Sequence, residues 1–297
     1  MSLQRIFDKI SVIDSPLSGM RRVLGTYLIE GEKTAVIDPG PTNQTLGVID
    51  ALQIHGVKEL NAVLLSHIHL DHGGGSWKMA ETYLGSFVYC HPRGAAHMVD
   101  PSKLKAEAER LFGERVLEYG TITGVHSDRM MESSDGEIID LGGVILQVLW
   151  TPGHSNHSQS YWEPDSRTVF VGDAVGHVMG ERGPVVPVSP PPHNPVRAVE
   201  SIDRILGLRP ETLCIAHFGP HENAIEHLNR IRNRSILWDR LSIQAAKEGM
   251  DLEEFTSLVL EEDELMNQIE ESHSPERSLK GGLLGFLMYG KWKLEQG

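Results

Sequence analysis

Apolar positions in the first third of the chain alternate or run unbroken over short stretches, the period of strands. Ile6–Ile13, Gly25–Glu30 and Thr34–Ile37 read as strands, and Asp38-Pro39-Gly40-Pro41 reads as a turn. The period then changes. Leu46, Ile49, Leu52 and Ile54 predict a helix, Asn61–Ser66 a short apolar strand, Ser76–Leu84 a helix and Phe87–Cys90 another strand. This β-β-α-β-α-β order predicts a mixed α/β sandwich with helices outside the sheets.

The pattern breaks between Pro92 and Ser134. Leu104, Ala108, Leu111 and Phe112 share one helical face, and Met98, Met130 and Met131 fall in the same stretch. Residues 93–134 are therefore expected to form a helical insertion, either covering a site or packing as a peripheral helix pair. Strands resume at Glu137–Leu141, Val144–Trp150, Gln159–Trp162 and Thr168–Val171. The stretch 183–195 contains Pro190-Pro191-Pro192; it lacks donors for a central strand and is too stiff for a helix. Ala198–Leu206 predicts a helix and Thr212–Ala216 the last core strand. From Glu222 onward the pattern is helical: Ile225, Leu228, Ile231 and Ile236/Leu237, then Leu252, Phe255 and Val259, then Ser278–Tyr289. The expected organisation is a sandwich domain over 1–221 and a helical C-terminal region over 222–297. The short, apolar third tail helix has to pack, either on its own core or against a partner subunit. The second option predicts a homodimer through the C-terminal helices.

Length and charge narrow this picture. A chain of 297 residues can bury roughly 75% of its unfolded surface, so it needs no staple. The formal charge of −14 argues against a nucleic-acid-coating surface or a polybasic membrane anchor, since both need clustered Lys and Arg. It does not exclude an anionic small substrate, because bound metal ions reverse the local field. Cys90 and Cys214 each lie in an expected strand and read as buried small hydrophobes rather than a disulfide. The early Arg5, Asp8 and Lys9 leave no signal-peptide core, and Leu283–Tyr289 is far short of the ~20 residues that span a bilayer. A cytoplasmic protein with a small-molecule substrate is expected.

The chemistry lies in seven residues. Ser66-His67-Ile68-His69-Leu70-Asp71-His72-Gly73-Gly74-Gly75 carries four of them, and His154, Asp173 and His217 each follow an apolar, strand-like run. Ligand-type residues at strand ends are where α/β proteins gather functional groups. His67 and His69, two apart in an extended segment, point the same way and can close on one ion. Asp71 and His72 diverge unless the loop bends, which the following glycines make easy. One pair suits one metal and the next pair a second. Five imidazoles and two carboxylates can hold two borderline-soft divalent ions and leave room for a water. Metal-assisted hydrolysis follows.

At these residues the chain resembles the metallo-β-lactamase superfamily, whose signature is His-x-His-x-Asp-His followed by a distant His, Asp and His. The resemblance covers roughly residues 6–221. It implies a four-layer αββα sandwich with the site at one edge. It also implies that His67, His69 and His154 hold one metal, that Asp71, His72 and His217 hold the second, and that Asp173 bridges them. Zinc is the expected metal, with iron or manganese as alternatives. A metal-bound hydroxide is the expected nucleophile, and Asp71 doubles as a catalytic proton relay. Thr-Pro-Gly-His-Ser-x-His-Ser-x-Ser-Tyr at 151–161 and Val-Gly-Asp-Ala at 171–174 resemble the glyoxalase II-like and lactonase-like branch. This implies a small thioester, ester or lactone substrate. The alternatives are a mononuclear iron persulfide dioxygenase or a non-catalytic metal-binding protein. The chain departs from that branch in two places. No Tyr occurs between 174 and 216, and Ala174-Val175-Gly176-His177 replaces a basic run. His177, His157, His193 and His221 are the candidate substrate contacts. Gly73-Gly74-Gly75 lacks the Lys-Ser/Thr ending of a phosphate loop and reads as a hinge of the ligand loop.

Overall fold

The computed structural model describes residues 1–17, 19–178, 185–264, 266 and 275–296. In chain order the first elements are β1 (Ser2–Phe7), β2 (Ile10–Leu17), β3 (Met20–Glu30), β4 (Thr34–Ile37), α1 (Thr42–His55), β5 (Ala62–Leu64), α2 (Leu70–Gly73), α3 (Ser76–Thr82), β6 (Phe87–Cys90), α4 (Pro92–Val99), α5 (Ser102–Phe112) and β7 (Met130–Glu132). Then follow β8 (Ile138–Asp140), β9 (Ile145–Trp150), β10 (Gln159–Glu163), β11 (Thr168–Gly172), β12 (His177–Val178), β13 (Val185–Val186), α6 (Pro195–Gly207), β14 (Thr212–Ile215), β15 (Gly219–Glu222), α7 (Ala224–Glu248), α8 (Leu252–Glu262) and α9 (Pro275–Gln296).

The chain divides into two compact units. One comprises 1–150, 157–172 and 212–221; the other comprises 151–156, 173–211 and 222–297. The tail from Glu222 therefore shares its unit with two segments that precede it in sequence.

The first unit holds two sheets, ordered β1-β2-β3-β4-β5-β6-β7 and β15-β14-β11-β10-β9-β8. In the first, β4, β5, β6 and β7 run parallel. The inner strands β4 and β5 are buried on both faces, which is why their apolar runs are unbroken. Ile13, Leu28, Val36 and Val63 face a core completed by Val48, Ile49 and Leu52 of α1, Met79 of α3 and Met98 of α4. Their neighbours Val12, Tyr27, Ile29, Ile37 and Leu64 face the other way, against Leu146, Val148, Tyr161, Phe170 and Cys214 of the second sheet. Both cysteines are free and buried, as expected.

Several elements differ from the sequence pattern. Ile6–Ile13 is not one strand: Phe7 pairs with Ile10 across a turn at Asp8-Lys9. β2 and β3 run further than their apolar residues suggest because buried polar side chains are satisfied there. Asp14, 7% exposed, accepts bonds from Arg21 Nε at 3.1 Å and Arg22 N at 2.8 Å. Ile54 is exposed, and the buried face of α1 is Val48, Ile49, Ala51 and Leu52 instead. Met130 and Met131 leave the helical stretch and form β7, parallel to β6. His221 stands in strand β15.

In the second unit, α7, α8 and α9 enclose a core of Trp238, Leu241, Phe255, Val259, Leu279, Leu283 and Phe286. Asp251 and Glu254 form a capping box that starts α8. The apolar face of α9 is thus used inside its own unit. β12 and β13 form a two-stranded ribbon. Among the described residues no helix is long and apolar enough to cross a membrane.

Candidate metal centre

Three strand ends build the site of the first unit. β5 delivers Ser66 and His67, β11 ends at Gly172, and β14 leads through Ala216 to His217. Bonds between the two sheets fix these ends. Gln159 N donates to Ser66 O at 2.8 Å and Gly25 N to Ala216 O at 2.8 Å. The Tyr161 hydroxyl donates to Leu65 O at 2.8 Å. Burial pushes the Tyr27 and Tyr161 hydroxyls well above the ordinary tyrosine pKa, which keeps both protonated as donors.

After His67 the chain stays extended through His69, then closes one helical turn, α2, that carries Asp71 and His72. That turn, not loop bending, rotates the second pair of ligand residues away from the first. The three glycines behind it are set by packing. None of them has positive φ, and a Cβ on Gly75 would lie 1.6 Å from Thr45 Oγ1. Gly75 is needed because α1 packs on the loop at that point. Gly172 combines φ 51° with a Cβ position 2.3 Å from Ser66 Oγ, so both backbone and space demand glycine.

The ligand side chains of this unit converge. Asp71 Oδ2 lies 3.7 Å from His72 Nε2 and 3.5 Å from His217 Nε2. One donor atom from each of these residues falls within 4.8 Å of the others. The His67 ring lies 4.6 Å from that of His69 and 4.0 Å from that of His72. His67 and His72 are buried, while Asp71 and His217 are partly open. In the second unit, His154 Nε2 lies 3.6 Å from Asp173 Oδ2, and both residues are buried.

The other ring nitrogens explain these orientations. His72 Nδ1 lies 3.1 Å from Asp38 Oδ2. The Ser66 hydroxyl donates to Asp38 Oδ2 at 2.6 Å and so offers its lone pair to His67 Nδ1 at 3.0 Å. His217 Nδ1 lies 3.1 Å from Val23 O, and His154 Nδ1 lies 2.8 Å from Val188 O. A carbonyl can only accept, so Nδ1 carries the proton in His217 and His154, and in the neutral imidazole Nε2 then carries the lone pair. A lone pair facing a carboxylate oxygen across 3.5–3.6 Å is repulsive unless a cation lies between. Two bonds of about 2.0–2.2 Å to one divalent ion span such a gap at an obtuse angle. The donor set fits a metal.

Asp38 was missed by sequence reasoning, which saw only its turn. It is buried at φ 51° and pinned by Asp38 N to Leu64 O at 3.0 Å, Thr26 Oγ1 to Asp38 O at 2.8 Å and Ser66 N to Asp38 Oδ1 at 2.8 Å. The available signal was its place at the end of the strand beside β5.

The four further histidines separate. The His157 ring stacks parallel to His67 at 6.2 Å and meets His69 edge-on at 5.5 Å, so it belongs to the ligand cluster of its unit. His221 Nε2 lies 3.0 Å from Phe218 O. His177 pairs with Val186 in the β12–β13 ribbon. His193 is buried beside His154; a cavity of the second unit is lined by His154, Asp173, Val188, His193, Ile231 and Ser235. Burial, reinforced by His154, lowers the His193 pKa to about 3.

Two facing sheets with helices and these His/Asp sets define a metal-binding α/β protein. The family model of the metallo-beta-lactamase superfamily matches residues 26–217, and the chain belongs to that superfamily. Its fold is the superfamily's αββα sandwich, with C-terminal helices added. Among its relatives, metallo-beta-lactamase fold-containing protein ST1585 of Sulfurisphaera tokodaii is 28% identical over 215 residues, 70% of this chain and 78% of the relative. Probable metallo-hydrolase YqgX of Bacillus subtilis is 30% identical over 50% of this chain and 64% of its own length. A hydroxyacylglutathione hydrolase of Synechococcus is 28% identical over 50% of this chain and 48% of its own length. Metallo-beta-lactamase family protein TTHA1429 from Thermus thermophilus superposes with TM-score 0.74 at 18% identity, covering 97% of this chain and 95% of that one.

Proposed function

We propose that the chain is a binuclear metal-dependent hydrolase of a small thioester, ester or lactone. The observation that carries this is the anchoring of imidazoles through Nδ1, which turns Nε2 of His72 and His217 toward Asp71 and Nε2 of His154 toward Asp173. By the superfamily signature, His67, His69 and His154 would hold one ion, Asp71, His72 and His217 would hold the other, and Asp173 would serve both. Two divalent ions, zinc foremost, supply a hydroxide at neutral pH and polarise the scissile carbonyl when bound. Asp71, partly open to solvent, takes or passes a proton at Oδ1, the carboxylate oxygen that does not face His72 and His217. His67, His72 and His154, buried, exclude water behind the site. The hydroxyacylglutathione hydrolase among the relatives supports the thioester class.

The test is elemental analysis of purified protein together with a thioester, ester and lactone panel. Two equivalents of metal and hydrolysis that His67→Ala lowers by about 100-fold or more are expected. Less than one equivalent, with hydrolysis untouched by His67→Ala, would overturn the proposal. Oxygen uptake with a persulfide and iron alone would select a dioxygenase instead.

A further inference from the structure

The helical tail contributes none of the seven ligands, yet it grips the segment that orients one of them. All the contacts lie within the second unit. His154 Nδ1 donates to Val188 O at 2.8 Å. Three residues upstream, Val185 O accepts a bond from the Arg234 guanidinium of α7. Arg234, only 4% exposed, is held by Asp263 through bonds of 2.6 and 3.1 Å, and Asp263 also accepts from Trp238 Nε1 at 2.9 Å. One residue downstream of Val188, the Ser189 hydroxyl donates to Gly282 O of α9. A Cβ on Gly285 would lie 1.9 Å from Ser189 O and 2.9 Å from His193 Cβ, so the backbones of α9 and this segment touch there. The His193 ring packs on Phe286 at 4.6 Å, and Asn194 N donates to Gly153 O at 2.9 Å, next to His154 itself.

We propose that the C-terminal helices are a positioning element for the metal ligand His154. The Arg234–Asp263 pair and the close approach at Gly285 set the Val188 carbonyl, and that carbonyl fixes the tautomer and rotation of the imidazole. A carbonyl displaced by about 1 Å no longer makes a hydrogen bond of ordinary length. Loss of the groups that orient a ligand histidine typically lowers metal affinity 10- to 100-fold. Glycine at 285 is therefore a requirement of the metal centre, exerted through the Val188 segment and no direct contact with an ion. This inference rests on the binuclear assignment proposed above.

The experiment compares Gly285→Ala, Ser189→Ala and Gly281→Ala by competition of zinc with a chromophoric chelator, and by the visible spectrum of the cobalt(II) forms. A Cβ on Gly281 would meet nothing within 4 Å, so this position serves as the control. Gly285→Ala is expected to weaken one of the two equivalents 10- to 100-fold and leave the other unchanged. Ser189→Ala, which loses one hydrogen bond and no packing, is expected to weaken the same equivalent by less. Gly281→Ala is expected to match the wild type. If Gly285→Ala does not fold, as read from far-ultraviolet circular dichroism, Ser189→Ala carries the test. Folded Gly285→Ala and Ser189→Ala proteins that bind both equivalents as tightly as wild type would overturn the inference while leaving the hydrolase proposal intact. Wild-type protein that binds less than one equivalent would instead remove the binuclear assignment and this inference with it.

Discussion

Asp38 serves three groups at once: the Ser66 amide, the Ser66 hydroxyl and His72 Nδ1. Asp38→Ala leaves the buried Ser66 N–H unsatisfied and releases two imidazoles. A stability loss of about 1–3 kcal/mol in urea unfolding of the metal-free protein is expected. Zinc affinity should fall about 10- to 100-fold in chelator competition. Asp38→Asn keeps one acceptor and should lose less on both counts. His91 gives a pH dependence away from the ligands. Its Nδ1 accepts from Arg93 N at the start of α4, and its ring packs on Trp150 at 4.3 Å. Burial, with help from Arg93, lowers its pKa from the ordinary 6.5. The unfolded chain therefore takes up a proton first as pH falls through 6.5, so stability present above that value declines below it. His91→Asn keeps a helix-capping acceptor and should flatten this slope in urea midpoints measured between pH 7.5 and 5.5.

At the scale of elements, the Arg234–Asp263–Trp238 network joins α7 to the residue that follows α8 and to β13. A buried ion pair adds little over an apolar pair, but removal of one partner strands the other. Arg234→Met should cost about 3–5 kcal/mol by urea unfolding, and the double variant with Asp263→Leu should recover part of it. Loss of α9 has a different effect. Leu279, Leu283 and Phe286 cover Trp238 and Phe255, so truncation before Leu279 opens the core of the second unit. A lower melting temperature by circular dichroism is expected, rather than a simple change of mass. The element boundaries that the pattern placed well, such as Thr34–Ile37, belong to strands that are almost wholly buried. Those it placed poorly, such as β2 and β3, hold buried polar residues, such as Asp14, satisfied by donors that the hydrophobic pattern does not register.

At the scale of the whole molecule, the proposed metal binding is linked to folding, because the candidate ligand side chains within each unit converge only in the folded chain. A ligand that binds only the native state adds RT ln(1 + [L]/Kd), about 2.7 kcal/mol at 100 times Kd. Chelation should lower the melting temperature in scanning calorimetry, and zinc should restore it. In His72→Ala, which lacks a buried ring at the centre of the cluster, the zinc-dependent gain should shrink.

The sequence by itself determined the α/β class and the helical tail and singled out the seven candidate ligand residues, because dense ligand-type spacing and hydrophobic period are local properties of the chain. Asp38, Val23 O and Val188 O could not be read in that way. Asp38 looks like a turn residue, and a backbone carbonyl has no identity in sequence. Only the tertiary structure decided which nitrogen of His67, His72, His154 and His217 is tethered. It also decided that Gly75 and Gly285 are glycines for space, since both facts depend on segments far apart in the chain meeting at ångström distances.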